Sequence, residues 1–372
     1  MTNEIDPARL WRAWAGRISG CLLGKPLEVL SYREGPAGLA QYLQAAQALP
    51  LNDYVPAVAG SEVADRWLSC CRGHIDRFVP DDDINYTVLA LLLLEEHGTS
   101  FSIADVARQW LMLLPAGTTW TAERAAYATL LAHMDSEFVN GGPAGFDLDE
   151  CSANDCNEWI GAQIRADLYG WVCPDQPELA AELATRDGSL SHRGEGLHGA
   201  AFIAAWAAAI PMADSPDSAI DVALDYVPAD SAVAAAVRFG RHAAARGLGA
   251  ACIHDEYAEL SPVHTLNNLA IVVWALCGSA RSFDRAISEC VLAGLDTDSN
   301  AATVGGLAGM ADFPIADRWT DPWAGRVGVN LAGYAEFSLD DLVARSVALS
   351  RRIASRKAAR CGLLARPCCS QG

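Results

Sequence analysis

The amino-acid sequence predicts an all-α protein that folds as one compact domain. Segments rich in alanine and other helix-forming residues, with mixed apolar and polar faces, recur along most of the chain. Strand signals are poor, because β-branched residues seldom alternate with polar ones and no hairpin dipeptide separates such runs. No linker rich in serine, proline or charge divides the chain. The clearest helical segments are residues 199–210, 231–246, 269–276 and 339–358.

Composition sets the size of this domain and the partners that it excludes. Hydrophobic residues make up 51% of the 372-residue chain, which is ample for a large core. We expect the domain to comprise residues 1–358 and the remaining residues, 359–372, to form a flexible tail. The formal net charge of −19 argues against binding to a nucleic-acid backbone. It does not argue against a small anionic ligand, because a bound metal ion can reverse the local charge.

The cysteines and the first residues of the chain indicate a cellular compartment. The twelve cysteines are scattered and form no C-x-x-C pair, which argues against a zinc site or a disulfide framework. The opening MTNEIDPARLW lacks the basic start and apolar stretch of a signal peptide. No apolar run approaches the roughly 20 residues that cross a bilayer. We therefore expect a cytoplasmic protein with reduced cysteines and no membrane partner.

The first predicted helix carries a glycine stripe in GRISGCLLGKPLE. Gly16, Gly20 and Gly24 recur every four residues, so they share one helix face and would let another helix approach closely. Close packing alone explains the glycines. Glu28 follows a helix-ending Gly-Lys-Pro and is expected on a loop just beyond a buried helix. From the residues alone, an exposed surface glutamate is the default interpretation of Glu28.

Two acidic segments, far apart in the chain, each open an apolar helical run. The first is PDDDINYT at residues 80–87, and the second is DTDSN at residues 296–300. Either segment alone fits helix caps and first-turn charges that favour the positive end of a helix. Five carboxylates seldom gather for capping alone. If the two helix starts meet, repulsion between their carboxylates requires a cation. Ligands that are all oxygen atoms favour Mg²⁺ or Mn²⁺.

Several segments together resemble the ADP-ribosylglycohydrolase family, the all-α hydrolases that remove ADP-ribose from proteins or related acceptors. They fall in the family's order and span residues 16 to 310. The matching segments are GRISGCLLGKPLE, PDDDINYTVLAL, IGAQIRADLYG, SLSH and AGLDTDSNAATVGGLAGM. The last of these is the most specific, whereas the glycine stripe is weak by itself. The resemblance implies a single compact orthogonal helical bundle.

The resemblance also implies a two-magnesium site with an adjoining substrate site. The implied metal ligands are Asp81, Asp82, Asp296, Asp298 and Ser299. The residues implied around the ribose and phosphates are Gly161, Ala162, Arg165 and His192. Candidate catalytic acids or bases are Glu28, Asp82 and Asp83.

Two of the implied substrate contacts have structural alternatives. Arg165 has the fork of donors that suits a phosphate, but an ion pair with Asp167 or Glu158 is an equal expectation. His192 has a hydrogen-bonded place at a helix start as its alternative role.

Departures from the family pattern leave the substrate and one metal position open. Pro80 stands where relatives carry a metal-binding hydroxyl, and Asp83 replaces the usual threonine after the two aspartates. One metal site therefore has an altered ligand set. The predicted substrate is an ADP-ribosylated protein or small molecule. The alternatives are hydrolysis of a free nucleoside, nucleotide or other small riboside, and a non-catalytic ADP-ribose-binding protein.

Overall fold

Sixteen α-helices make up most of residues 5–364, the part of the chain that the computed structural model describes. They are α1 (Pro7–Gly24), α2 (Glu28–Ala45), α3 (Glu62–Arg66), α4 (Asp82–His97), α5 (Ile103–Leu113), α6 (Thr121–His133), α7 (Asp167–Val172), α8 (Pro177–Gly188), α9 (Gly194–Ala209), α10 (Pro216–Leu224), α11 (Ala232–Ala245), α12 (Ala251–Glu256), α13 (Thr265–Gly278), α14 (Phe283–Leu292), α15 (Thr297–Met310) and α16 (Leu339–Leu364). The predicted all-α class is confirmed. All four helical segments singled out in the sequence are helices.

Two short strands, β1 (Arg326–Gly328) and β2 (Glu336–Ser338), form an antiparallel pair that the sequence did not predict. Each strand has only three residues, which is too short for a pattern of alternating polarity to be recognised. Helix α16 extends to Leu364, so it includes the first residues of the predicted tail. The rest of that tail lies outside the described residues. None of the helices within residues 5–364 combines the length and the apolar composition needed to cross a membrane.

Helix α15 lies at the centre of the fold, and every one of its residues is buried. A helix that is apolar or small on all sides has no solvent face and must be surrounded by other elements. Helices α1, α13 and α14 pack around it. Large buried side chains, among them Trp14, Trp171 and Trp206, fill the space between the helices. The site described below is built where α15 begins, so its position is fixed by the core.

Helices α1 and α15 cross the core side by side, backbone against backbone, in antiparallel directions. A Cβ atom added at Gly20 would lie 2.0 Å from the carbonyl oxygen of Ala301, and one added at Gly24 would lie 2.2 Å from that of Thr297. Gly16 makes an equally close approach two turns before Gly24. The glycine stripe therefore serves close packing, as predicted. Its consequence is that the end of α1 meets the start of α15.

We expect Gly20→Ala to lower the free energy of unfolding by about 3 kcal/mol, because the two backbones must separate to admit a methyl group. Chemical denaturation measures this change. Gly249→Ala is the matched control, since no atom lies within 4 Å of a Cβ added at Gly249. An unfolding midpoint of Gly20→Ala equal to that of the wild type would contradict the close approach of α1 and α15.

The sequence suggested that Glu28 lies on a loop. Glu28 is instead the first residue of helix α2. A single 3₁₀ turn, Lys25–Leu27, separates it from the end of α1. Pro26 supports this arrangement, because its fixed φ suits the first positions of a helical turn. The chain therefore changes direction within three residues. This tight connection holds both Lys25 and Glu28 near the start of α15.

Candidate metal centre and catalytic cavity

The two acidic segments meet in the folded chain, as the sequence predicted. The Ser299 hydroxyl at the start of α15 donates a hydrogen bond of 3.2 Å to Oδ2 of Asp83 at the start of α4. One carboxylate oxygen each from Asp81, Asp83 and Asp298 lies, with the Cys21 sulfur, within 4.8 Å of the others. Residues more than two hundred positions apart thus form one acidic cluster.

Local hydrogen bonds explain how each helix start presents its carboxylates. Asp81 is the N-cap of α4, and its side chain accepts a hydrogen bond of 3.0 Å from the backbone N–H of Asp83. The start of α15 is fixed by Asn268 of α13, whose Oδ1 accepts from the backbone N–H of Asp296 at 3.2 Å and from Nδ2 of Asn300 at 2.7 Å. Sequence analysis did not identify Asn268 as a residue that positions the centre.

The acidic cluster has two halves that share Asp298. The first half contains Cys21, Asp81, Asp83 and Asp298, and the second contains Glu28, Asp296 and Asp298. Within each half, one potential ligand atom per residue lies within 4.8 Å of the others. Separations of this size suit ligands that converge on a common cation.

Two carboxylate oxygens in this centre have no hydrogen-bond partner. They are Oδ1 of Asp296 and Oδ1 of Asp298, and the two residues are only 5% and 4% exposed. A buried carboxylate oxygen without a partner is costly, so native proteins almost always satisfy it. A hard divalent cation bound by carboxylates provides that partner. The residues present therefore fit a Mg²⁺ or Mn²⁺ site.

Burial and mutual repulsion perturb the pKa values of these carboxyl groups. Burial, followed by the nearby Asp298 carboxylate, raises the pKa of Glu28 to about 8. Burial, followed by Asp81, raises the pKa of Asp298 to about 6. Burial would also raise the pKa of Asp81, but the Lys25 ammonium lowers it below its usual value. Without a bound cation, part of the centre therefore holds protons near neutral pH.

We expect the metal-free protein to lose stability as the pH rises from 6.5 to 8. The folded pKa of Glu28 is raised, so its proton stabilises the fold at low pH and is lost as the pH approaches about 8. In this window the unfolded chain has already lost that proton. One proton changes the free energy of unfolding by about 1.4 kcal/mol per pH unit, or about 2 kcal/mol over the window.

Thermal and urea unfolding in the presence of a chelator measure this slope. Glu28→Gln serves as its control, because the variant cannot titrate there and should show a flatter dependence. Buried His192 does not interfere, since burial lowers its pKa well below 6.5 and it is neutral throughout the window. Equal slopes in both proteins would contradict the raised pKa of Glu28.

A cavity of about 530 Å³ opens beside the acidic centre. This volume is in the range of sites for nucleotide-sized ligands. The carboxylates in its lining are those of Glu28, Asp81, Asp82, Glu123, Asp296 and Asp298. The aromatic rings in its lining are those of Tyr32, Trp67, Trp120 and Trp159. The cavity can hold a cation among the carboxylates and an apolar or aromatic group of a ligand against a ring.

Most of the predicted metal and catalytic residues reach this cavity, and Asp83 is the exception. Glu28, Asp82 and Ser299 are among its lining residues. Asp83 is 1% exposed, and its carboxylate faces Arg17 at 3.4 Å and the hydroxyl of Ser299. Because the oxygens of Asp83 face groups of the protein, the geometry does not support its predicted role as an acid or base acting on substrate.

Arg165 does not line the cavity, so the geometry does not support its predicted role in binding phosphate. It is 2% exposed, and its guanidinium pairs with Glu123 at 2.9 Å and with Asp187 at 3.0 Å. The predicted alternative of an ion pair is confirmed in kind but not in its partners. Asp167 instead pairs with Arg17 at 2.9 Å. With its donors used by buried acceptors, Arg165 anchors the layer beneath the cavity.

Of the remaining predicted substrate residues, one lines the cavity and two do not. Gly161 lines the cavity, whereas Ala162 is buried and does not. His192 is fully buried and does not line the cavity, and its Nδ1 lies 2.8 Å from the Ser191 hydroxyl, so the geometry does not support the predicted substrate contact. The alternative role of His192, that of a hydrogen-bonded side chain near a helix start, agrees better with this geometry.

Glu123 is a cavity residue that sequence analysis missed. A Cβ added at Gly161 would lie 2.1 Å from Oε1 of Glu123, so only glycine admits this carboxylate. As the third residue of α6, Glu123 resembles an ordinary first-turn charge at the start of a helix. The sequence alone therefore carried no signal for its place in the cavity.

The fold and the site define an all-α protein with a carboxylate-rich cavity suited to divalent cations. A model of the ADP-ribosylglycohydrolase family matches residues 2–346, and the chain belongs to this family. The family consists of hydrolases that cleave glycosidic bonds of ADP-ribosylated substrates.

Two further similarities agree with this assignment. A solved chain described as an "ADP-ribosylglycohydrolase-related protein complex" aligns with a TM-score of 0.55 and 19% identity, over 92% of this chain and 98% of that one, which shows a shared fold. An uncharacterized protein of Archaeoglobus fulgidus is 24% identical over 276 residues, covering 73% of this chain and 80% of the relative.

Proposed function

We propose that this protein is a magnesium-dependent hydrolase that cleaves a ribosyl glycosidic bond, with an ADP-ribosylated molecule as its substrate. The observation that carries the proposal is the pair of unpartnered, buried oxygens of Asp296 and Asp298 beside Glu28. Together with membership of the family, they support a metal-assisted glycosidase. Nine cysteines between Cys21 and Cys290 have free thiols, which is consistent with the proposed cytoplasmic location.

The proposed metal ligands are Asp296, Asp298 and Ser299 from the start of α15, with Asp81 and Asp82 from the start of α4. When bound, a divalent ion there would supply Lewis-acid binding of ribose hydroxyls and a lower pKa for a coordinated water. The protein's own part is to hold the sugar against these carboxylates within the cavity. The sugar and the attacking water are then already oriented for reaction, which avoids the entropic cost of their encounter in solution.

We assign proton transfer to Glu28 and electrostatic support to Asp82. Glu28 lies at the cavity edge of the centre, and Tyr32 forms a hydrogen bond with its carboxyl group. A carboxyl group beside the centre that is not itself a metal ligand can take a proton from water and return it to a leaving group. The transition state at C1′ carries positive charge, so the partly exposed Asp82 carboxylate in the same cavity stabilises it.

Hydrolysis of a free nucleoside or other small riboside is the second candidate, and the charge of the cavity favours it. The basic residues that line the cavity are Lys25 and Arg66, and all lining residues belong to the described part of the chain. Lys25 is bonded to Asp81, and Arg66 pairs with Glu62 at 2.8 Å. A diphosphate would therefore find little positive charge in the cavity apart from the exposed Arg66, whereas a small riboside needs no cationic partner.

Turnover of ADP-ribosyl-arginine and of a panel of small ribosides, with magnesium and after exhaustive chelation, tests these proposals. We expect release of ADP-ribose from the arginine adduct only when magnesium is present. Cleavage restricted to small ribosides would select the second candidate. Full activity after chelation would refute the metal mechanism. Binding of ADP-ribose without any turnover would identify a non-catalytic binding protein.

A further inference from the structure

The two halves of the acidic centre are neutralised in different ways. In the first half, the Lys25 ammonium bonds to Oδ2 of Asp81, and the Arg17 guanidinium lies 3.4 Å from Oδ1 of Asp83. In the second half, Glu28 and Asp296 have no such ion-pair partner among the described residues. Both unpartnered oxygens, on Asp296 and on the shared Asp298, belong to that second half. Among the described residues, protein cations thus form ion pairs in the first half of the centre, whereas the second half has none.

Lys25 is held in place and cannot easily leave the centre. It is 7% exposed, and its ammonium lies 5.2 Å from the centroid of the Trp67 ring as well as against Asp81. Its backbone follows directly after Gly24, whose carbonyl accepts a hydrogen bond of 2.9 Å from the hydroxyl of Thr297. The packing of α1 against α15 therefore fixes the position of this positive charge.

The chemistry of the first half also disfavours a hard metal ion. Cys21 contributes its sulfur there, and this side chain is fully buried beside Asp81 and Asp298. A soft sulfur atom is not a ligand that Mg²⁺ prefers. Any divalent ion placed between Asp81 and Asp298 would in addition lie against the Lys25 ammonium, which repels it.

We propose that the ammonium of Lys25 takes the place of one divalent ion, so that the centre binds a single metal ion through Asp296 and Asp298, beside Glu28. This inference rests on the proposed metal-dependent function and narrows its set of ligands, because Asp81 then pairs with Lys25 and binds no ion. Lys25 supplies a fixed positive charge and hydrogen-bond donors, but it cannot activate water as a metal does. Metal chemistry is thereby confined to the half next to Glu28.

Titration with Mn²⁺, followed by calorimetry and by electron paramagnetic resonance, tests this inference. The wild-type protein should bind one Mn²⁺ per chain and give the spectrum of an isolated ion. Lys25→Met removes the ammonium, frees Asp81 and should bind a second Mn²⁺, with spin coupling between the two ions. Arg33→Met is the matched control, because its exposed guanidinium on α2 pairs with Glu62 away from the centre; it should still bind one ion.

The possible outcomes separate this inference from the proposed function. Two coupled Mn²⁺ ions in the wild type would overturn the role of Lys25 and leave a metal-dependent hydrolase intact. No bound ion in the wild type would overturn the proposed function itself. A folded Lys25→Met variant that still binds one ion would also contradict the inference. If that variant fails to fold, the wild-type stoichiometry and spectrum decide the question alone.

Discussion

Replacing Asp298 with alanine should abolish both metal binding and activity while leaving the helical content unchanged. Asp298 is the one residue that belongs to both halves of the acidic centre, and its Oδ1 is one of the two unpartnered oxygens. Loss of the ion removes its stabilisation of the transition state. We expect catalytic efficiency to fall at least about a thousandfold, which corresponds to about 4 kcal/mol.

Mn²⁺ titration, steady-state kinetics and circular dichroism of Asp298→Ala measure these effects. The fold should survive, because the substitution removes a repelled, buried carboxyl group and leaves the backbone of α15 intact. Asp230→Ala is the control for the loss of one negative charge, since Asp230 is exposed and lies before α11. Full metal affinity or full activity in Asp298→Ala would refute the metal mechanism.

The second large effect is expected for Glu28→Gln, which should lower kcat by about 10² to 10⁴ and change KM only a few-fold. Glutamine keeps the volume of the side chain and can still form a hydrogen bond with Tyr32, but it cannot accept a proton. Because Glu28 also borders the metal half of the centre, kinetics must be measured at magnesium concentrations that saturate the variant.

Glu34→Gln provides the comparison for Glu28→Gln. Glu34 lies on the same helix, α2, but is exposed to solvent, so its substitution should leave kcat unchanged. An unchanged kcat in Glu28→Gln would make Glu28 a bystander. A large rise in KM with an unchanged kcat would instead assign Glu28 to substrate binding.

Much of the fold could be predicted from the sequence because its signals are local. Helix-forming composition and the absence of strand patterns indicated the all-α class. The spacing of Gly16, Gly20 and Gly24 indicated that another backbone comes close to α1, but not which one. The partner positions on α15, such as Ala301, are also spaced by four residues. That match is recognisable only once the two helices are known to be neighbours.

The meeting of the two acidic segments could be predicted because a shared cation gives like-charged residues a reason to lie together. Asp81 and Asp298 are the clearest examples. The structure gave no support to the predictions for residues whose burial the sequence does not reveal. Arg165 has the same donors whether it faces a phosphate or a buried carboxylate, and its partners Glu123 and Asp187 come from α6 and α8. No property of a single sequence shows which distant carboxylate will be adjacent.

Lys25 is a residue whose importance the sequence did not reveal. In the sequence, Lys25 belongs to a Gly-Lys-Pro that ends a helix. A basic residue at this place has an ordinary explanation, because it interacts favourably with the helix dipole. Only the folded chain places its ammonium against Asp81. The number of metal ions that the centre can hold is therefore a property of tertiary structure, although every acidic residue was visible in the sequence.

The claim that the rest depends on is that the start of α15, beside Glu28 of α2, forms a cavity-side site for a divalent cation. A crystal structure of the protein grown with Mn²⁺, with an anomalous difference map, tests it most directly. We predict an anomalous peak bonded to carboxylate oxygens of Asp296 and Asp298, next to Glu28. The absence of any such peak, at Mn²⁺ concentrations far above those of the magnesium-dependent assay, would contradict the account.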